Sequence, residues 1–187
     1  MKTRFVACVL SLLLLGDIVL WAANESNWPR FRGPNGAGTA DFNIPAKWSD
    51  DTVHWETKLP GTGHGSPVVW GDKIFLNAAR EKGKERLVVC LDAPSGKILW
   101  NKAFASATHK TNKRNSFASS TPAVDADAVY VAWGNNTELQ VTALSHEGKQ
   151  LWQGNFGKVT GGHGFGVSPI VHDDLVVLPN DIEKGGG

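Results

Sequence analysis

The sequence predicts an all-β fold, a β-propeller of four-stranded blades of which about two and a half are present. Three observations carry that prediction: a Ser/Thr-Pro strand pattern occurring three times, a Gly-Lys turn leading into Trp occurring twice, and a spacing near 50 residues between copies. Fixed periods of some tens of residues belong to propellers and solenoids, and a unit of about 50 residues with four short strands is a blade. No segment carries a 3.6-residue apolar period, so helix is expected to be minor.

Taken in chain order, Lys2 and Arg4 precede an apolar run over residues 5–15, followed by Ala22, Ala23 and the polar Asn24-Glu25-Ser26. That layout reads as a secretory signal peptide over residues 1–23, which makes the protein exported, periplasmic or secreted; an uncleaved membrane anchor is the alternative. Residues 24–50 are a Gly- and Pro-containing lead-in, and residues 51–187 a partial propeller. Within it, residues 53–59 read as the last strand of an incomplete blade. Complete blades are expected over about 65–104 and 119–156, and an incomplete one over 166–187. The sequence therefore reads as an N-terminal fragment of a longer propeller.

Each repeated element has a physical reason. Ser66-Pro67, Thr121-Pro122 and Ser168-Pro169 open strands, where the missing proline N–H is tolerated. Asp72, Asp127 and Asp174 follow each Pro by five residues, where a short hairpin loop belongs. The second pattern runs from Asp92 to Trp100 and, one residue shorter, from Ser145 to Trp152. Pro94 and Gly96 suit a type I turn that the Asp92 side chain can cap. A Trp-x-x-x-Leu/Phe tail recurs at Trp55, Trp100 and Trp152.

Composition narrows the function. The 187 residues carry 19 Lys+Arg against 18 Asp+Glu, a net charge of +1. That is no footprint for a nucleic-acid backbone, which calls for a pI above roughly 9. Of the two cysteines, Cys8 lies in the leader, which leaves Cys90 as a small core residue.

The turn with Asp92, Gly96, Lys97 and Trp100 resembles the tryptophan-docking motif of the pyrroloquinoline-quinone (PQQ) repeat family, and Gly148, Lys149 and Trp152 repeat it with Ser145 at the Asp position. The resemblance covers roughly residues 48–182. It implies a propeller in which each docking Trp lies across the neighbouring blade, burying on the order of 150–250 Å². The family includes quinoprotein alcohol dehydrogenases, the propeller lipoprotein of the outer-membrane β-barrel assembly machine, and exported proteins without known activity. The dehydrogenases imply PQQ and Ca²⁺, an adjacent Cys-Cys pair, Ca²⁺-ligating Glu and Asn, and a catalytic Asp. No residue here matches those roles, so no catalytic or metal residue is assigned.

The candidate ligand or partner residues lie in loops joining one blade's outer strand to the next blade's inner strand: His64, His109, Asn112, Asn115 and His163. Such loops share one face, and glycines at 61, 63, 65, 161, 162 and 164 would allow close backbone approach by a ligand. The plainer reading is that polar, Gly-rich loops are what these turns require. Two functions follow. The first is a binding or scaffold module in the cell envelope, without cofactor, contacting a protein or envelope partner. The second is a PQQ- and calcium-dependent dehydrogenase acting on a small alcohol or sugar. Membrane contact enters only through an uncleaved anchor.

Overall fold

Alternating apolar residues build two four-stranded antiparallel sheets and a hairpin. The structure, a computed structural model, describes residues 27–41, 44–159 and 162–180; the expected leader and the chain's last seven residues lie outside these. The first sheet runs β1 (Val68–Trp70), β2 (Lys73–Arg80), β3 (Glu85–Asp92), β4 (Ile98–Ala105), and the second β5 (Ala123–Val124), β6 (Val129–Gly134), β7 (Leu139–Leu144), β8 (Gln150–Asn155). The strands β9 (Ile170–His172) and β10 (Leu175–Val177) pair as a hairpin. The inner strands lie side by side, β1 beside β5 and β5 beside β9. This is the arrangement of propeller blades, and among the described residues helix is confined to short 3₁₀ turns such as Asp50–Thr52.

The central strands are buried on both faces, and period-2 alternation assigns each face its own core. Phe75, Val88, Cys90 and Phe104 of the first sheet pack against Val124, Val129, Val131 and Trp133 of the second. Leu87, Val89 and Leu91 point to the first sheet's other face. Leu139 and Val141 pack with Phe165 and, around it, Val176 and Leu178 toward the hairpin. Cys90 is fully buried, and burial pushes its thiol up to about 12, so it is an inert core group.

Register makes the two sheets equivalent. Val68, Phe75, Cys90 and Trp100 form one row, and Ala123, Tyr130, Ala143 and Trp152 the matching row. Both ladders slip at the same place, after Cys90 and after Ala143. At the turn that follows, Asp92 Oδ2 accepts from the Ser95 N–H at 2.9 Å, and Gly96 adopts φ +70°. Ser145 Oγ takes that role more weakly, accepting from the Glu147 and Lys149 N–H groups at 3.3 Å. The Lys97 and Lys149 side chains are exposed, and their carbonyls close the turns by accepting from the Asp92 and Ser145 N–H groups.

The Ser/Thr-Pro motif has a role that only the three-dimensional arrangement displays. Ser66 N–H donates to Thr121 Oγ1, and Thr121 N–H donates to Ser168 Oγ, both at 2.9 Å. Each copy's hydroxyl thus satisfies the amide of the copy before it, linking the three inner strands in series. The lead-in adds a second tie. Trp28 pairs with Val69 through two 2.9 Å bonds, and Val124 N–H donates to Pro29 O at 2.8 Å, so this segment spans both inner strands.

One expectation is corrected. Residues 53–59 carry no strand, because no described strand pairs with them; Trp55 and Thr57 instead seat this segment on the first sheet's turn, through Trp55 Nε1 to Ala93 O at 2.9 Å and Thr57 Oγ1 to Gly96 O at 2.6 Å. In the second sheet's first hairpin Ala126 and Asp127 lie in the loop, as expected, and Asp125 supplies the carboxylate that organises it. Its Oδ1 accepts from the N–H groups of Asp127 and Ala128, because this loop spans four residues where the Gly71-Asp72 turn spans two.

Candidate functional site

The loops that carry the candidate residues join outer to inner strands and therefore emerge on one side. Residues 106–122 link β4 to β5, residues 156–169 link β8 to β9, and residues 60–67 enter β1. Asn115 Nδ2 donates to His163 O at 2.7 Å, Asn112 N–H donates to the same carbonyl at 3.2 Å, and the Asn112 amide lies 3.3 Å from His163 Nδ1. Asn112 Oδ1 also accepts from Arg114 N–H, and Asn115 Oδ1 from Ser116 N–H. Such local side-chain bonds are what make Asn favourable in loops. Asn112, Asn115 and His163 are thus brought together as one polar cluster.

His64 joins its edge through the backbone, its N–H donating to Ala118 O and to Ser116 Oγ. His109 lies apart. It is half-buried behind the face, its ring edge-on to Phe117 at 5.1 Å between centroids. Burial holds its imidazole below the ordinary value, and the nearby Arg86 charge adds to that. Lys110, Lys113 and Arg114 stand exposed beside Asn112 and give the face a local positive charge. Among the described residues no group of three or more His, Cys, Asp or Glu side chains could hold a metal ion.

The glycines at 61, 63 and 65 let this segment pass close to the protein's own backbone. A Cβ at these positions would come within 2.8 Å of Ala79 O, 2.8 Å of Ala118 O and 2.5 Å of Ser120 O. The loop is pressed against the first sheet and its neighbour loop too closely for any side chain. Gly161 lies outside the described residues. Gly164, at φ +82°, lets the chain turn beneath the Asn115 amide.

The docking residues divide into two kinds. Trp100 lies on Gly148 of the next turn, where an added Cβ would sit 2.9 Å from its ring, and its Nε1 donates to His146 O at 2.9 Å. Lys73 and Glu147 close the same joint at 2.9 Å. Trp152 is 41% exposed, with its ring tilted against Tyr130. Sequence reasoning missed a further group, Arg86. Alternation along β3 puts it in phase with Val88 and Cys90, which face the core, so the signal was present. Arg86 is 2% exposed, its guanidinium 5.1 Å from the Phe117 ring centroid. Burial lowers its pKa to about 10, with Glu138 acting in the other direction.

Comparison with known proteins gives four likenesses. A family model described as outer membrane protein assembly factor BamB matches residues 49–186. Polyvinylalcohol dehydrogenase of a Pseudomonas species is 26% identical over 159 residues, 85% of this chain and 22% of that protein. The chain therefore spans about a fifth of that curated relative. A europium-containing methanol dehydrogenase superposes with a TM-score of 0.55 at 18% identity, covering 82% of this chain and 27% of its own, a likeness of fold. BamB from Moraxella catarrhalis gives a TM-score of 0.46 at 20% identity over 67% of this chain and 36% of its own.

Proposed function

Because the chain belongs to the family described as outer membrane protein assembly factor BamB, a family of PQQ-like repeats, we propose that it is an exported propeller acting as a binding or scaffold module in the cell envelope. The observation that carries this reading is the cluster of Asn112, Asn115 and His163, which joins two inter-blade loops into one polar surface with Lys110, Lys113 and Arg114 at its rim. Amide groups and cations on a fixed loop surface suit a protein partner that presents carboxylates and backbone carbonyls. The leader-like residues 1–23 support export. No helix among the described residues is long and apolar enough to cross a membrane.

The test is a photo-cross-linking residue placed at Asn112 in the full-length protein in its own host, with Ser95 on the opposite turn as control. A discrete cross-linked partner from position 112 and none from position 95 is the expected result. Equal yields from both positions would overturn the loop face as the interface.

The likeness to polyvinylalcohol dehydrogenase supports a second reading, an alcohol or sugar dehydrogenase using PQQ and Ca²⁺. Among the described residues no group of three His, Cys, Asp or Glu side chains comes together and Cys90 is a single buried thiol, and the chain spans 22% of that relative. Full-length protein incubated with PQQ and Ca²⁺ is expected to leave an electron-accepting dye unreduced in the presence of alcohols. A cofactor-dependent rate would replace the binding reading with this one.

A further inference from the structure

Buried polar atoms are almost always paired, yet one region gathers those that are not. Among the described residues, Asn77 Oδ1, Arg86 Nε and Nη1, Ser106 Oγ, His109 Nδ1, Ser120 Oγ and Trp133 Nε1 are buried without a hydrogen-bond partner. Five of these six residues line two adjoining cavities at the joint between the four-stranded sheets. Asn77, Arg86 and Trp133 line one, and His109, Ser120 and Trp133 the other. Each has a volume of about 10 Å³, the space of a single water-sized occupant; a chloride ion is somewhat larger and enters as the lining side chains shift slightly, while phosphate, sulfate and a carboxylate are too large.

Charge and donor count decide between a water and a chloride. The Arg86 guanidinium is 2% exposed and makes no ion pair among the described residues, and only the Phe117 ring face lies over it. Glu138 acts on it at a distance, its own carboxylate accepting from Asn135 Nδ2. A buried charge without a counter-ion is rare, because the interior does not replace the water it loses. The unpaired N–H groups of Arg86 and Trp133 are donors only, and the serine hydroxyls can donate as well. Asn77 Oδ1 alone must accept, its amide orientation being set by Nδ2 donating to Ser120 O at 2.9 Å. One amide dipole opposes an anion less than a full guanidinium charge favours it at low dielectric.

We propose that the cavity lined by Arg86, Trp133 and Asn77 is a halide site that takes one chloride ion, with Arg86 and Trp133 as its donors. Arg86 comes from β3, Trp133 from β6, and Phe117 from the loop that carries Asn112 and Asn115, so the ion ties both sheets to the candidate partner face. Gly83 lets the Phe117 ring and the Arg86 guanidinium pack against it: a Cβ there would come within 2.4 Å of Phe117 and 2.9 Å of Arg86 Nη1.

The test uses the full chain in two ways. Its melting temperature is measured from sodium gluconate to sodium chloride at constant ionic strength, where a halide that binds the folded state gives a saturable rise. Trp133→Phe keeps the ring and removes the N–H, and is expected to need at least tenfold more chloride for the same rise. Crystals grown in sodium bromide are expected to show an anomalous peak within hydrogen-bond reach of Arg86. If Trp133→Phe does not fold, that peak in the unaltered protein decides alone. A bromide data set without a peak beside Arg86 would overturn the proposal and leave a water cavity.

Discussion

Trp100 and Trp152 occupy the same ladder position, opposite Cys90 and Ala143, and meet different surroundings. Trp100 has a glycine turn under its ring and a carbonyl for its N–H; Trp152, under which no docking turn lies among the described residues, leaves 41% of its surface in water. The docking energy therefore belongs to the joint between sheets, not to the strand that supplies the Trp. Trp55 confirms this from the other side. It lies on the Gly96 turn and donates to Ala93 O, as Trp100 does on the Gly148 turn, although its own segment forms no strand.

The largest expected difference is between two truncations. In the 187-residue chain, where no further turn among the described residues lies under Trp152, Trp100→Ala should lower stability by about 3 kcal/mol and Trp152→Ala by less than about 1 kcal/mol, in urea denaturation. Equal losses would mean that the strand, not the joint, holds the energy. Next come two glycines with positive φ. Gly148→Ala adds a methyl against the Trp100 ring and should cost about 2–3 kcal/mol, whereas Gly157→Ala, at φ +99° with nothing within 4 Å, should cost about 1 kcal/mol from backbone strain alone.

Thr121→Val tests the hydroxyl chain. It leaves the Ser66 amide without its acceptor at a site where Thr121 is 1% exposed, and a loss of about 1–2 kcal/mol is expected in the same denaturation series. Smaller again is the contrast between turns. Asp92→Ala should lose about 1 kcal/mol and Ser145→Ala about half that, in line with their 2.9 Å and 3.3 Å bonds. The last expected effect is one of pH. Burial holds His109 below its ordinary value of 6.5, so the unfolded chain takes up its proton first as pH falls. Stability should be undiminished above that value and decline below it, and His109→Phe should flatten that part of the profile.

Particular residues show how far the sequence could be read. The Gly turn leading into Trp was visible in Gly96, Trp100, Gly148 and Trp152, because repetition at a fixed spacing exposes positions that the same geometry demands in each copy; docking of the Trp on a neighbouring blade was what the family resemblance implied. The hairpin at Gly71-Asp72 was visible for the same reason. Asp125 was not, since a four-residue loop moves the capping role away from the residue that aligns. Among the candidate loop residues, spacing could place all of them on one side of the sheets. It could not say that Asn112 and Asn115 would converge on the His163 carbonyl while His109 turned inward to Phe117.

The sequence by itself determined the all-β class, the repeat, the turns and the alternation that buries β3 and β7 on both faces, because these depend on residues close along the chain. The tertiary structure alone decided which surfaces meet. The Ser66, Thr121 and Ser168 chain, the lead-in strap over Val69 and Val124, and the buried Arg86 beside Phe117 and Trp133 all join residues more than 30 positions apart. Their partners are set by how the sheets pack around the inner strands, and that packing is not written in any local pattern of apolar and polar residues.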